Sequence, residues 1–435
     1  MMANVWYAAW LGSDGEGGDR PRLRRELERL KAMGVKSVRL LASSEGCSTA
    51  NASICAFTLR PAMQTAPGQY DHHLLVGLDW ALLEVERVGM VAVLVLNTMA
   101  PGYGGFAQYV EWAGGEEQGR YTQTPSPDTL VDTVSWNRVH WFTRAARFYE
   151  MPQAVQLSHS HMRSLLSRRN SFTGRRYAQD SVIMAWELAN APRAMGKRDA
   201  FRAWVRSTAA LLKRLAPNHL VTIGSEGAHS ALAEEWVGRG APKHGWQPDM
   251  SEFEADHRIE GIDYATCQLW IEPWGWYGQM QQADDVKAGD HAGDKGFQVG
   301  IDRAKQYLHA HIQAAARMGK PLVLNEVGLA RDNNRYAASF SVHRRNHLFQ
   351  NVMDIAQRSF DNRDALAGVG FAGWAGEGRP KWRAGQFAVW QAGDPLLGDG
   401  PAEHQGRNSI YDKDNATLAI LGALGRRYRA PERKA

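Results

Sequence analysis

The sequence predicts an α/β protein, a single (β/α)8 TIM barrel spanning residues 1–435 with long loops on the C-terminal face. Three observations carry that expectation. Short apolar runs of strand length alternate with longer stretches of helical periodicity, as in βα units around a parallel sheet. Eight such runs can be placed, the number that closes a barrel of this kind. Several helical stretches end at a glycine just before the next run (Gly34, Gly89 and Gly319), the residue a helix C-terminus favours.

In chain order the expected strands are Val5–Trp10, Val35–Leu41, Val91–Asn97, Val182–Glu187, His219–Ile223, Ile262–Leu269, Pro321–Asn325 and Val369–Trp374. Continuous apolar runs of this length suit strands covered on both faces. The helices expected between them include Leu23–Met33, Leu74–Val88, Phe201–Leu215 and Ile301–Met318. In Arg20–Leu30 the charges read as a solvated face over a stripe of Leu23, Leu27 and Leu30. No repeat, low-complexity tract or Pro/Ser linker marks off a second domain. Long connections follow the second, third, sixth and eighth strands, on the face where barrel enzymes bind their ligands.

Composition narrows the function. Apolar residues at 44% and charged residues at 22% are ordinary for a globular protein. No apolar run approaches the roughly 18 residues of a membrane span, so no membrane partner is expected. The net charge of +5 is spread along the chain without a basic run interleaved with aromatics, which argues against nucleic acid. The 16 Trp and 13 Tyr suit a sugar cleft, because an indole packs on the C–H face of a pyranose ring. Three cysteines cannot form a disulfide framework; Cys47 and Cys55 share a loop and could pair, while Cys267 sits in a strand. Met1-Met2-Ala3 reads as a start added to a trimmed mature chain, which gives a secreted or periplasmic expectation. His72-His73 and His159-Ser160-His161 lack a third ligand at metal spacing, and residues 12–18 lack a P-loop lysine. No Gly-x-Ser-x-Gly elbow occurs either, so neither metal, cofactor nor serine nucleophile is expected.

Two strand ends carry the chemistry. Lys320–Gly328 is an apolar strand delivering Glu326 at its C-terminal end, and Val182–Arg193 runs from a buried strand into an Asn190-Ala191-Pro192-Arg193 turn. The ends of strands four and seven face each other across a barrel mouth. Retaining glycoside hydrolysis needs two carboxyl groups about 5–5.5 Å apart in that relation. Arg39, at the end of strand two, would hold Glu326 ionised by lowering its pKa. Asn190 would bond a sugar 2-hydroxyl, and Trp374 would form a stacking floor.

With these residues in place the chain resembles the bacterial endo-β-1,4-mannanases of glycoside hydrolase family 5. The matching segments span nearly the whole length: Ser44–Gly46, Gly77–Trp80, Gly104–Trp112, Thr173-Gly174 with Tyr177, Gly224–Gly227, Gly376–Pro380 and Gln405–Asp412. The resemblance implies a retaining mechanism without metal or cofactor, acting on mannan, glucomannan, galactomannan or manno-oligosaccharides. It makes Glu326 the nucleophile and Ala191 the vacated acid/base position, where the clan has the Glu of an Asn-Glu-Pro motif. Arg39, Asn190, Gln268, Trp270 and Trp374 would shape the sugar site, with Trp112, Glu226, Glu377 and Arg379 as further contributors. Because Arg39, Asn190, Glu326 and Trp374 remain, Ala191 is expected to be a deliberate replacement, giving a chain that binds and barely cleaves.

Other departures are Gln268, where the family usually shows His, and the loop Asn97–Tyr103, which lacks the Trp of many relatives. Tyr277–Gly300 is a polar insertion that reads either as a surface loop or as a segment that closes one end of the cleft and favours exo release of mannose or mannobiose. The rival readings are such an exo-acting β-mannosidase, a silent mannan-binding protein, and a β-glucanase of the same family.

Overall fold

The computed structural model describes residues 1–47, 58–114, 136–228, 252–277, 292–383, 386–387 and 389–427. Eight parallel strands form a nearly closed barrel: β1 (Met2–Asn4), β2 (Ser37–Leu41), β3 (Val91–Val95), β4 (Ile183–Glu187), β5 (Leu220–Thr222), β6 (Ala265–Leu269), β7 (Leu322–Val327) and β8 (Leu366–Phe371). Their lateral order is β5-β4-β3-β2-β1-β8-β7-β6. The seam between β5 and β6 is closed by single bonds rather than a ladder. Asp263 N donates to Val221 O at 2.8 Å, Val221 N to the Asp263 carboxylate at 2.6 Å, and the Thr222 hydroxyl to Tyr264 O at 2.9 Å.

Helices surround the strands, and the three glycines expected as helix stops do adopt left-handed φ values of 85°, 65° and 67° at Gly34, Gly89 and Gly319. One core cluster runs from Ala3 to Leu424. Inside the barrel a smaller layer of Met2, Val93, Ala185 and Tyr264 plugs the lower half. Side chains two apart along a strand share a face. Asn4 and Glu187 therefore sit one repeat above Met2 and Ala185, at the C-terminal mouth. No helix among the described residues is long and apolar enough to cross a membrane.

Two expectations are corrected. The first strand is Met2–Asn4, and the second half of the expected strand Val5–Trp10 opens a short buried helix, Ala8–Gly12. A brief apolar run reads the same way for either state. Close approach decides here, since a Cβ on Gly12 would lie 2.3 Å from Gly77 O in helix His72–Arg87. Met2 and Ala3 pair with Ser37 and Val38, so both belong to the barrel wall.

The second correction concerns helix Arg20–Ala32. Its Arg22 and Glu26 are buried, not part of a solvated face. Arg22 Nη2 donates to Ala375 O (3.1 Å) and Leu396 O (2.8 Å), anchoring the chain that leaves β8. That chain forms β9 (Trp374–Gly376), which pairs in parallel with β10 (Ile410–Tyr411) outside the barrel. Cys47 is disulfide-bonded and Cys267 is free and buried; Cys55 lies outside the described residues.

Candidate active site

A cavity of about 250 Å³ opens at the C-terminal ends of the strands, and Arg39 is its hub. Strand register brings the hub's partners together. Asn4 stands opposite Arg39 between β1 and β2, and Glu326 opposite Gln268 between β7 and β6. All five guanidinium N–H donors are used. Nε donates to Glu187 Oε2 at 2.9 Å and Nη2 to Glu187 Oε1 and to Asn190 Oδ1 (2.9 Å). Nη1 donates to Asn4 Oδ1 (2.9 Å) and to Glu326 Oε1. Asn325 Nδ2 braces Glu187 from the other side at 3.1 Å. A planar, always-charged fork suits this double carboxylate, and a lysine could not span it.

Glu326 keeps 13% of its side chain exposed and lines the cavity. Its carboxyl is raised above its ordinary range. Burial drives the rise, and Arg39 pulls back without cancelling it. The expectation that Arg39 would leave Glu326 with a lowered pKa is therefore corrected. Arg39 itself is driven further into its charged form, because the attraction of Glu187 and Glu326 exceeds the opposing effect of burial.

Gln268 follows a register shift in the β6–β7 ladder, a distortion that re-aims a side chain. Its Nε2 donates to Asn190 Oδ1 (3.3 Å) and its Oε1 accepts from Trp270 Nε1 (3.1 Å). Trp270 in turn lies against β7, where a Cβ on Gly328 would come within 2.5 Å of its ring. An aromatic wall thus stands beside Glu326. Trp6, Tyr103, Phe142 and Trp274 complete the apolar lining.

Ala191 faces the same cavity from the turn after β4. Its φ of 49° is left-handed, and the strain is held by a bond from its N–H to Gly224 O at 3.0 Å. The neighbouring Asn190 is tied on both sides, its N–H to Asn97 O at 2.9 Å and its carbonyl to Met99 N at 3.1 Å. Next along the turn, Arg193 makes a two-point ion pair with Glu226 (Nη2 to Oε1, 3.0 Å) and covers the Phe142 ring at 4.5 Å. Residues 398–408 close another side of the cavity. Asp399 organises them by accepting from Gly406 N (2.9 Å), Asn408 N (2.6 Å) and the Ser409 hydroxyl. Burial raises the Asp399 carboxyl to about 6. Glu403 and Arg407 also reach the wall, the latter paired to Glu272 at 3.2 Å.

The structure brings Arg39, Asn190, Ala191, Glu226, Gln268, Trp270 and Glu326 to one cavity. Four other expected site residues lie elsewhere. Trp374 is 0% exposed, and its indole N–H donates to Glu26 Oε2 at 2.8 Å because β9 turns out of the barrel. The cavity wall at the end of β8 is Ala372-Gly373 instead, so Trp374 does not supply a stacking floor. Glu377 is drawn to Arg25 and Arg29 on the outer helix. Arg379 packs over Tyr411 at 4.6 Å and pairs with Asp412. Trp112 sits edge-on to Tyr109 at 5.5 Å and is not on the cavity wall. Of the insertion Tyr277–Gly300, residues 278–291 lie outside the described residues, and from Ala292 the chain is already helix.

Sequence reasoning missed Glu187, Asn4, Arg193, Asp399 and Glu403. Glu187 carried a signal, since a charged residue ending the apolar run Ile183–Trp186 needs a buried partner. No cluster of three or more potential metal ligands occurs among the described residues.

A family model described as GH family 5 beta-mannosidase-like matches residues 1–426. The chain is similar to a glycoside hydrolase family 5 mannosidase from Rhizomucor miehei, solved as a point mutant in complex with mannosyl-fructose. That structure is 30% identical with a TM-score of 0.78, covering 98% of this chain and 91% of the other. A putative mannan endo-1,4-beta-mannosidase from Arabidopsis thaliana is 28% identical over 375 residues, 85% of this chain and 78% of the relative. An endo-beta-1,4-mannanase from Thermotoga petrophila shares the fold, with a TM-score of 0.65 at 19% identity, covering 100% of this chain and 78% of the other.

Proposed function

This chain belongs to the GH family 5 beta-mannosidase-like family, and on that footing we propose that it is directed at β-mannosides through a retaining site that lacks its acid/base. Glu326 is the nucleophile. Ala191 occupies the place of the proton donor. The observation that carries the reading is the link Glu326–Arg39–Asn190, which ties the nucleophile to the turn holding position 191 across one cavity. Retention by two displacements then requires Glu326 to attack the anomeric carbon while a second carboxyl protonates the leaving oxygen. A methyl group at 191 supplies no proton, and that help is typically worth about 10²–10⁴-fold. The chain therefore binds manno-oligosaccharides and turns them over slowly.

Substrate class is supported by the relatives, which are a mannosidase and mannan endo-1,4-beta-mannosidases. The relatives include both a mannosidase and mannan endo-1,4-beta-mannosidases, and release of single mannose units is the mode we take to the test. The disulfide at Cys47 supports a location outside the reducing cytosol.

The experiment is hydrolysis of mannohexaose and cellohexaose by this chain beside its Ala191→Glu variant. A gain of several orders of magnitude on mannohexaose, with mannose as the first product, supports the reading. Evenly mixed oligosaccharides would replace the exo assignment with endo cleavage, and a preference for cellohexaose would overturn the substrate class. A variant that binds mannohexaose without cleaving it would make the chain a binding protein.

A further inference from the structure

Asn4 is buried at the end of β1, on the cavity wall, and its side-chain amide joins three other strands. Nδ2 donates to Asn325 O and to Phe371 O, both at 3.0 Å, and Oδ1 accepts from Arg39 Nη1 at 2.9 Å. Turned over, the amide would set its oxygen against two carbonyls and its N–H groups against a guanidinium, so only this orientation is satisfied. One side chain of β1 thereby holds the upper ends of β7 and β8, above the last pair of their ladder at Leu324 and Val369. The carbonyl it holds on β7 has little room to drift, since a Cβ on Gly370 would lie 2.2 Å from Asn325 O. Further contacts close a ring. Asn325 Nδ2 donates to Glu187 Oε2 (3.1 Å), Glu187 grips Arg39, and Arg39 returns to Asn4. Glu326 follows Asn325 directly in the chain and accepts from the same Nη1 that donates to Asn4.

Resting on the retaining reading above, we infer that Asn4 is a positioning residue for Glu326. Its amide fixes both the backbone carbonyl just before the nucleophile and the guanidinium donor that faces the nucleophile's carboxylate. Asn325 O belongs to the planar peptide unit that ends at the Glu326 Cα, so pinning it fixes the point from which the Glu326 side chain starts. At the other end, Asn4 Oδ1 takes one hydrogen of Arg39 Nη1 and leaves the second for Glu326 Oε1. Both ends of the Glu326 side chain are thus held from one amide. Attack on an anomeric carbon depends on such placement, because a displacement of about 1 Å can cost about 10²-fold in rate. Both N–H donors of Asn4 are spent within the fold, so its effect falls on the attack rather than on sugar binding.

The test is the burst of dinitrophenolate from 2,4-dinitrophenyl β-mannoside, a donor whose leaving group departs without a proton, beside calorimetric titration of mannotetraose. In Asn4→Ala the burst rate constant should fall by about 10²-fold, with mannotetraose affinity unchanged. Asn4→Asp keeps the shape, loses both donations and adds a negative charge beside Arg39. The charged groups facing Glu326 are Arg39 from β2, Glu187 from β4 and Glu403 from the wall, with Tyr103 beside them, and none of these changes. A third carboxylate sharing Arg39 should move the acidic limb of the burst to higher pH, which a loss of packing alone would not do. Asn4→Ser, with one hydroxyl donor, should fall between the parent chain and Asn4→Ala, and it carries the comparison if the alanine variant does not fold. Folded variants with the parent's burst rate, an affinity that falls in step with the rate, or an unmoved limb in Asn4→Asp would overturn the inference. No burst from the parent chain, and none from Ala191→Glu, would instead sink the retaining reading itself.

Discussion

Glu187 and Glu326 share one guanidinium, that of Arg39, with neither carboxylate holding it alone. The two compete for the cation, and each loses some of its stabilisation to the other. Glu187 also adds its own repulsion to the rise in the Glu326 carboxyl. Glu187→Gln should therefore lower the Glu326 pKa, moving the acidic limb of dinitrophenolate release to lower pH. Breaking one arm of a buried pair should also cost about 3 kcal/mol of stability, read by urea denaturation. A stability loss with an unmoved acidic limb would show that Glu187 only supports the fold.

Burial sets the shape of the pH profile as well. In the retaining reading proposed above Glu326 must be ionised to attack, and its carboxyl titrates above the usual carboxylate range. Burst rates should rise with pH through that ionisation and then stay level, since position 191 carries no acid whose loss could bend the profile down. Ala191→Glu should restore a descending basic limb with substrates that need protonation. Stopped-flow rates across the acid-to-neutral range and beyond make the comparison. A bell-shaped curve in the parent chain would mean that another group donates the proton.

Two tryptophans with similar sequence credentials separate in space. Trp374 is a core residue bonded to Glu26, and Trp270 stands on the cavity wall above Gly328. Trp374→Phe removes one donor from a buried carboxylate that keeps its bond from Glu377 N. That change should cost about 1–3 kcal/mol of stability and leave mannotetraose affinity as it was. Trp270→Ala should weaken that affinity by about 10-fold through the loss of an aromatic face. Calorimetric titration of both variants checks the pair, and the reverse pattern would return Trp374 to the sugar site.

Much of the barrel was legible because its signals are local. Apolar runs, helical stripes and glycine stops each act within a few residues, and they place six of the eight strands closely, the eighth being shifted by three residues. The first strand failed because Val5–Trp10 is apolar throughout and carries no period. The candidate site was legible where a polar residue interrupts or follows an apolar strand, as with Arg39, Asn190, Gln268 and Glu326. It was not legible beyond β8. The outward turn of β9 depends on Arg22 and Glu26, more than 340 residues away in the chain. A motif such as Gly376–Pro380 names its residues without saying which way they face. Likewise Asp399 and Glu403 reach the cavity only through a fold-back that no local pattern announces.

Glu45 gives a prediction about the loop that walls the cavity. Its buried carboxyl accepts from Gly105 N at 2.8 Å, and its backbone N–H bonds Tyr103 O at 2.9 Å, so it shapes the segment that carries Tyr103 to the wall. Burial raises that carboxyl to about 7, only partly opposed by the Gly105 amide. Between the ordinary glutamate range and pH 7 the folded chain keeps a proton that the unfolded chain has released. Stability from this group is therefore complete at low pH and lost as pH rises through about 7. Glu45→Gln still accepts from Gly105 and carries no such proton. The variant should gain on the parent chain by on the order of 3 kcal/mol between about pH 4.5 and pH 8. His161 and His257, held neutral by burial at about 4 and 3, lose stability in the opposite direction as pH falls. They are common to both proteins, so the difference isolates Glu45. Urea midpoints at about pH 4.5, 6.5 and 8 measure it, and a difference that stays flat across that range would mean that Glu45 is ionised in the folded chain throughout.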